Sequence, residues 1–232
     1  EKRGARATFN TAIDFDGVEA TFIYGIDALK DTTSQPLVDG RVWVPEMEMD
    51  SLAGFLQTKW VIHDDLIVKA GVRRESIDLS VDDYETLKLC RSETQCSVPL
   101  QVKGDTIDYD ATTYNIAIKY NWSDSFSPFF NYSQGSDIAD IGRLLRAATV
   151  DDIGLIQTEA SIIDNYEVGF TSLFDQVRLE VAAYRSTSEL GTTNSFNEVT
   201  GVYEPVRAPQ EIWGYEGLVD YRISETLNVI AT

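Results

Sequence analysis

The chain has 232 residues and a formal charge of −19, with 43% hydrophobic and 11% aromatic residues. The apolar content argues against a disordered chain, and the strong negative charge argues against a nucleic-acid-binding protein. No apolar run reaches the 18 residues that mark a transmembrane helix. A transmembrane β-barrel stays open, because its strands are apolar only at alternate positions.

Two kinds of connection alternate along the chain. Amphipathic segments of about ten residues pair across short polar turns at 16–17, 63–65, 123–125, 175–176 and 224–225. Long polar connections separate these hairpins, at about 29–47, 79–106, 134–163 and 188–208. Short turns at one end and long loops at the other are typical of an antiparallel up-and-down transmembrane β-barrel.

The strands show the period-2 alternation of a sheet with two different faces. Between residues 66 and 75, Leu66, Val68 and Val72 share one face, while Lys69 and Arg73 share the other. Aromatic residues gather beside the short turns, where a lipid–water interface would need them: Phe15, Trp60, Tyr120, Trp122, Phe126, Phe174 and Tyr221. The pattern predicts about ten strands, the first at 5–15 and the last from 226 onward.

Two other architectures fit parts of this pattern. A self-contained ten-stranded outer-membrane protein, either a protease or an adhesin, predicts a complete closing strand and a cluster of acidic or histidine side chains at the long-loop end. A soluble secreted β-rich domain that binds a partner through its loops predicts that Tyr120 and Trp122 are both buried. The sequence favours neither, because the strand patterns are long and the last one has only a few residues.

Two local features lie inside the long connections. Cys90 and Cys96 are the two cysteines and lie close together, which favours a small disulfide loop in an oxidising compartment over two free thiols. Apolar residues recur at helical spacing within 136–148, which predicts a short helix in a surface loop.

Four segments together resemble the barrel of TonB-dependent outer-membrane receptors. They contain Gly71-Val72-Arg73 at the end of a strand, the run 126–135, an Asn165-Tyr166-Glu167 strand, and Gly214-Tyr215-Glu216-Gly217. Their order and spacing match the family. This resemblance implies a bacterial outer-membrane protein that imports a ferric siderophore or a similar iron complex and is not an enzyme.

The resemblance also implies a domain organisation and partners. Family members place an N-terminal plug inside a barrel of about 22 strands, so residues 1–232 are expected to be a partial barrel domain without the plug and the C-terminal strands. The expected partners are an iron-chelate ligand, the TonB energy-coupling complex acting through that plug, and outer-membrane lipid with lipopolysaccharide. No cofactor is expected.

The sequence offers few candidates for chemistry. His63 is the single histidine and precedes two aspartates, but it lies in a short turn, away from the loops that carry active sites in such barrels. No catalytic, phosphate-binding or metal-ligand motif is found. The predicted ligand-binding residues are therefore loop residues that could hold an anionic chelate: Arg143, Arg146, Tyr203 and Arg207. Arg73, Lys119 and Arg222 point inward, to pair with a plug or with Glu75, Glu167 and Glu216 of the wall.

Overall fold

The computed structural model describes the backbone of residues 1–88, 90, 96–138, 141–146, 148–155, 160–190, 192–197 and 202–232, without the side chains of 192–197 and 202–207. Within these residues, ten strands form one antiparallel sheet in chain order. They are β1 (Lys2–Phe15), β2 (Val18–Pro36), β3 (Val42–Ile62), β4 (Leu66–Val81), β7 (Asp105–Tyr120), β8 (Phe126–Asp137), β9 (Ser161–Phe174), β10 (Val177–Ser188), β13 (Gln210–Arg222) and β14 (Asn228–Ala231). Two small hairpins, β5 (Tyr84–Glu85) with β6 (Gln101–Val102) and β11 (Thr192–Asn197) with β12 (Val202–Arg207), lie in the long connections.

The five predicted short turns are all confirmed. They join β1 to β2, β3 to β4, β7 to β8, β9 to β10 and β13 to β14 at one end of the sheet. The first two turns also touch each other, because the backbone N–H of His63 donates to the carbonyl oxygen of Gly17 at 2.7 Å. β1 and β14 are the two edges of the sheet.

Nine of the ten strands described in the sheet are longer than the predicted ten residues, and the first long connection is the clearest difference. Residues 29–47 were expected to be a loop, whereas β2 runs to Pro36 and β3 begins at Val42. The remaining connection is a tight turn in which the Gly40 N–H donates to the carbonyl of Leu37 at 3.0 Å. The predicted short helix is found as α1 (Ile141–Arg146), followed by a 3₁₀ turn at Ile153–Leu155.

One face of the sheet, here called the outer face, carries an exposed apolar band. The strand register places Val18, Ile62, Leu66 and Tyr120 in line next to the short turns. On β2 the band runs from Val18 to Ala28, which for a strand tilted by about 40° spans roughly 25 Å, the height of the apolar band of an outer-membrane barrel. Exposed members of the band include Phe9, Tyr24, Leu56, Ile118, Val168 and Tyr215.

The predicted aromatic girdle lies on this outer face beside the short turns. Phe22 and Trp60 meet edge to face at 5.4 Å between ring centroids, and Phe126 lies 5.3 Å from Phe170. Tyr120 is 44% exposed and Trp122 is 72% exposed. The soluble-domain alternative predicted that both of these side chains are buried. Both are exposed, so that prediction is wrong.

The chemistry of the two faces inverts toward the long-loop end. Beyond Leu52 the outer face of β3 carries Asp50 and Glu48, in register with Asp78 and Ser80 of β4. On the opposite, inner face the same stretch carries apolar residues: Met47, Met49, Ile77, Leu79, Val81, Ile107 and Tyr109. The outer face therefore changes from an apolar to a water-compatible surface, while the inner face gains a core.

A hydrophobic core lies on the inner face at the long-loop end. α1 packs there, with Leu145 and Ile153 completely buried against Leu79, Val81 and Tyr109. Val102 of β6 completes the cluster. Among the described residues no helix could cross a membrane. The connection between β8 and β9 thus folds inward over the mouth of the sheet.

Candidate functional site

A cleft of about 600 Å³ opens beside this core, at the long-loop end. Three separate parts of the chain form it: the start of β3, the segment around β5, and the end of α1. Its lining combines cations and carboxylates with an aromatic ring: Arg41, Trp43, Glu46, Asp82, Asp83, Tyr84, Glu85, Lys88 and Arg146. A volume of this size is typical of a small-molecule site.

Arg146 is positioned in the cleft by Trp43. Its guanidinium carbon lies 5.3 Å from the centre of the Trp43 ring, a cation–π contact. It forms no ion pair with a described residue. A planar guanidinium has the geometry to bind a planar anion such as a carboxylate.

Tyr84 fixes the end of α1 against the cleft. Its hydroxyl donates to the carbonyl oxygen of Leu145 at 2.8 Å. Burial raises the pKa of Tyr84 to about 12, which extends the protonated, hydrogen-bond-donating form of the phenol to more alkaline pH. Since Leu145 immediately precedes Arg146, the contact also holds Arg146 over Trp43.

The four predicted ligand-binding residues do not all line the cleft. Arg146 lines the cleft, whereas Arg143 lies on α1 but is not among the side chains that line it. The backbones of Tyr203 and Arg207 belong to β12, and their side chains lie outside the described residues. The site assignment of these four residues stays a prediction.

The remainder of the loop end is held by local links. Cys90 and Cys96 form the predicted disulfide. The ammonium of Lys103 lies 3.1 Å from a carboxylate oxygen of Asp152 and joins the start of β7 to the 3₁₀ turn. The backbone N–H of Gly154 and then Lys103 lower the pKa of Asp152, while Asp152 raises the pKa of Lys103.

An ion-pair network crosses the inner wall below the core. Asp27 accepts from Arg6 at 2.8 Å and from Arg73 at 2.7 Å. Arg73 also contacts Glu75 at 3.2 Å, one of the two alternatives predicted for it, and Ser51 donates to Glu75 at 2.6 Å. These charges neutralise one another within the wall and leave Arg73 no role that needs a ligand.

His63 has a structural position in the short turns. Its backbone is in the left-handed region, with φ of 48°. A Cβ added at Gly17, whose φ is +73°, would lie 2.6 Å from Nδ1 of His63. The imidazole therefore packs against the neighbouring turn, at the short-turn end of the sheet.

Gly17→Ala is expected to destabilise the folded protein by about 1–3 kcal/mol, because the substitution combines left-handed backbone strain with a clash against His63. Gly40→Ala is a matched control, since Gly40 has φ of +86° but no atom within 4 Å of an added Cβ. Free energies of unfolding should show the larger loss at Gly17. Equal losses would show that the contact between the turns has no energetic weight.

The sequence analysis did not identify several of the residues that line the cleft. Trp43 and Arg41 lie in a segment predicted to be a loop, and Tyr84 and Lys88 carry no motif. The available signal was Glu46-Met47-Glu48-Met49-Asp50, a period-2 run that extends β3 upstream and would have placed Trp43 at its beginning.

Comparisons with known proteins agree on one family. A sequence profile described as "TonB dependent receptor-like, beta-barrel" matches residues 3–232. The "Ferric aerobactin receptor" of Klebsiella pneumoniae is 24% identical over 204 residues, covering 78% of this chain and 26% of the relative. The "Rhizobactin receptor" of Rhizobium meliloti (strain 1021) is 22% identical over 202 residues, covering 80% of this chain and 26% of the relative.

A solved structure gives the same fold. The hemophore receptor HasR of Serratia marcescens superposes with a TM-score of 0.74 at 14% identity, covering 95% of this chain and 39% of that chain. The chain spans about a quarter of the length of the curated relatives it matches. Its ten-stranded sheet therefore corresponds to part of a larger barrel wall.

Proposed function

Because the chain belongs to the TonB-dependent receptor family, we propose that it forms the part of an outer-membrane receptor that captures a ferric siderophore or a similar iron complex for import. Proteins of this family are outer-membrane β-barrels and transporters, not enzymes. The names of the two curated relatives support an iron chelate as the ligand.

The observation that carries the proposal is the position of Arg146. A cation held over Trp43 lines a cleft of about 600 Å³ at the mouth of the wall. Arg41 and Lys88 add positive charge to the cleft, although Arg41 already pairs with Asp39. In a chain of net charge −19, an anionic chelate needs such local donors to approach.

The rest of the receptor follows from the same proposal. Residues 1–232 form a partial barrel domain, a plug and further strands complete the barrel, and TonB supplies energy through the plug. The exposed edge strands β1 and β14 support this arrangement, since an unpaired strand edge in a bilayer leaves backbone groups without hydrogen bonds. The charged outer face beyond Leu52 would then lie among lipopolysaccharide headgroups.

Arg146→Ala in the full-length receptor is expected to weaken binding of radiolabelled ferric aerobactin by about 10-fold to 100-fold, the value of one or two charge-assisted hydrogen bonds. Arg146→Lys keeps the charge but loses the planar stacking on Trp43, so an intermediate affinity is expected. Equilibrium binding to purified receptor measures both.

Lys103→Ala is the control for that experiment, because Lys103 is a cation at the same end of the wall that does not line the cleft. Arg143→Ala, Tyr203→Ala and Arg207→Ala test the other predicted ligand residues one at a time. Unchanged affinity after Arg146→Ala, with the receptor correctly folded, would remove the cleft from the proposed function.

A further inference from the structure

Both methionines of the chain lie next to each other beneath α1. Met47 and Met49 are two residues apart on β3, so both side chains lie on the inner face. Each is half-buried and packs against the inner-face core to which Ile141 and Leu145 of α1 belong. These two residues are called the methionine pair below.

The strand register places the methionine pair at the border between a polar and an apolar surface. On the β2 side the pair lies opposite Asp31 and Thr33, which are polar. On the β4 side it lies opposite Leu79 and Val81, which are buried. Because Thr33 is exposed, water approaches the two thioethers from the β2 side, while the core closes the β4 side.

A cavity of about 250 Å³ lies between the methionine pair and α1. A water molecule takes about 30 Å³ in the liquid, so the cavity has room for a solute as small as hydrogen peroxide. Besides the pair, its lining includes Asp31 and Thr33 on the polar side, and Ile138, Ile141 and Gly142 on the side of α1.

We propose that the methionine pair is an oxidation site, through which a peroxide releases α1 from the wall. The sulfur of each thioether attacks one oxygen of the peroxide, so that the O–O bond breaks and an S–O bond forms. The proton on the transferred oxygen passes to the other oxygen, which leaves as water. Each reaction oxidises one sulfur by two electrons to the sulfoxide and reduces one hydrogen peroxide to water.

The sulfoxide does not suit the surface that α1 covers. Its oxygen is a hydrogen-bond acceptor, and the side chains of Leu79, Ile138 and Ile141 beside it have no donor. A buried acceptor without a partner loses its hydration and gains nothing in return. Because water hydrates this oxygen once α1 separates from the wall, oxidation shifts the equilibrium toward the separated state.

The release of α1 affects the candidate site through Arg146. Arg146 is the last residue of α1, and its guanidinium lies over Trp43 in the cleft. Separation of α1 therefore takes this cation away from the cleft. The resulting loss of chelate capture rests on the proposed function, whereas the oxidation and the release of α1 do not.

Treatment of the full-length receptor in phospholipid vesicles with hydrogen peroxide tests the site, with N-acetylmethionine amide added as an exposed reference. Peptide mass spectrometry is expected to find sulfoxide at both 47 and 49. Hydrogen exchange of residues 141–146 should then accelerate by about 10-fold to 100-fold, the effect of one buried acceptor without a partner. Methionine sulfoxide reductase should restore slow exchange.

Met47→Leu combined with Met49→Leu is the matched variant, because leucine keeps a similar volume and does not react with peroxide. Exchange of residues 141–146 should be slow in this variant both before and after treatment. Peroxide should weaken the binding of ferric aerobactin to the parent receptor and leave binding to the variant unchanged.

Any of three results would contradict the oxidation site: a methionine pair that stays reduced while the reference is consumed, complete oxidation that leaves the exchange of residues 141–146 unchanged, or a peroxide response that persists in the double variant. If the leucines alone release α1, the reductase reversal in the parent receptor decides. Release of α1 in a receptor that binds no chelate would contradict the proposed function and leave the oxidation site in place.

Discussion

Leu56→Arg is expected to destabilise the membrane-inserted receptor by about 2–4 kcal/mol, the cost of an arginine on the lipid face of a barrel near the bilayer midplane. Leu56 lies on the outer face of β3, midway along its apolar band, and is 40% exposed. The penalty arises because the guanidinium loses water without gaining a partner in the hydrocarbon.

Gln57→Arg is the matched control, one residue along the same strand but on the polar inner face. It should change stability by less than about 0.5 kcal/mol, the range of ordinary surface substitutions. Guanidinium unfolding of the full-length receptor in phospholipid vesicles measures both variants. Equal losses would mean that the two faces of β3 do not lie in different media.

Leu145→Ala is expected to release α1 from the mouth of the wall. The side chain of Leu145 is completely buried in the inner-face core, and Leu→Ala at such sites costs about 2–5 kcal/mol. Because 1.4 kcal/mol is tenfold in an equilibrium, hydrogen exchange of the α1 amides should accelerate by about 30-fold to several thousand-fold. Loss of α1 also removes Arg146 from Trp43, so chelate binding should weaken as well.

Leu155→Ala is the control for this second prediction, since Leu155 lies in the adjoining 3₁₀ turn but is 65% exposed. Its exchange rates should stay close to those of the parent receptor. If Leu145→Ala left the exchange of residues 141–146 unchanged, α1 would not be held by the inner-face core.

Period-2 alternation predicted a strand correctly only where the same face of that strand stays apolar along its length. From Leu66 to Val72 the outer face meets an apolar medium, so the apolar residues keep one phase and the faces were assigned correctly. Beyond Arg74 the apolar phase moves to Ile77 and Leu79 on the inner face, because a loop covers that face while water meets the other. Where the apolar positions move from one face to the other, the alternation is interrupted and the strand appears to end. Residues 29–47 and 79–81 were therefore predicted to be loops.

The cleft could not be predicted from the sequence for a different reason. Its residues come from three connections that are distant in sequence and that meet only because α1 folds inward onto β3 and β4. Arg146 could be proposed from its charge and its place in a long loop. Trp43 and Tyr84, which position Arg146, depend on tertiary contacts that no local pattern encodes.

The central claim is that the outer face of β3 contacts lipid from residue 62 to residue 52 and contacts water from Asp50 onward. The collision accessibility of nitroxide labels along β3 tests this claim most directly. Single cysteines are introduced at residues 46–62 of the full-length receptor; within this chain Cys90 and Cys96 are already bonded to each other and do not compete for label. Even positions from 52 to 62 should be accessible to oxygen and shielded from a water-soluble nickel complex, with odd positions shielded from oxygen. From 50 to 46, even positions should become accessible to nickel. Accessibility without alternation, or an oxygen maximum at odd positions, would contradict the account.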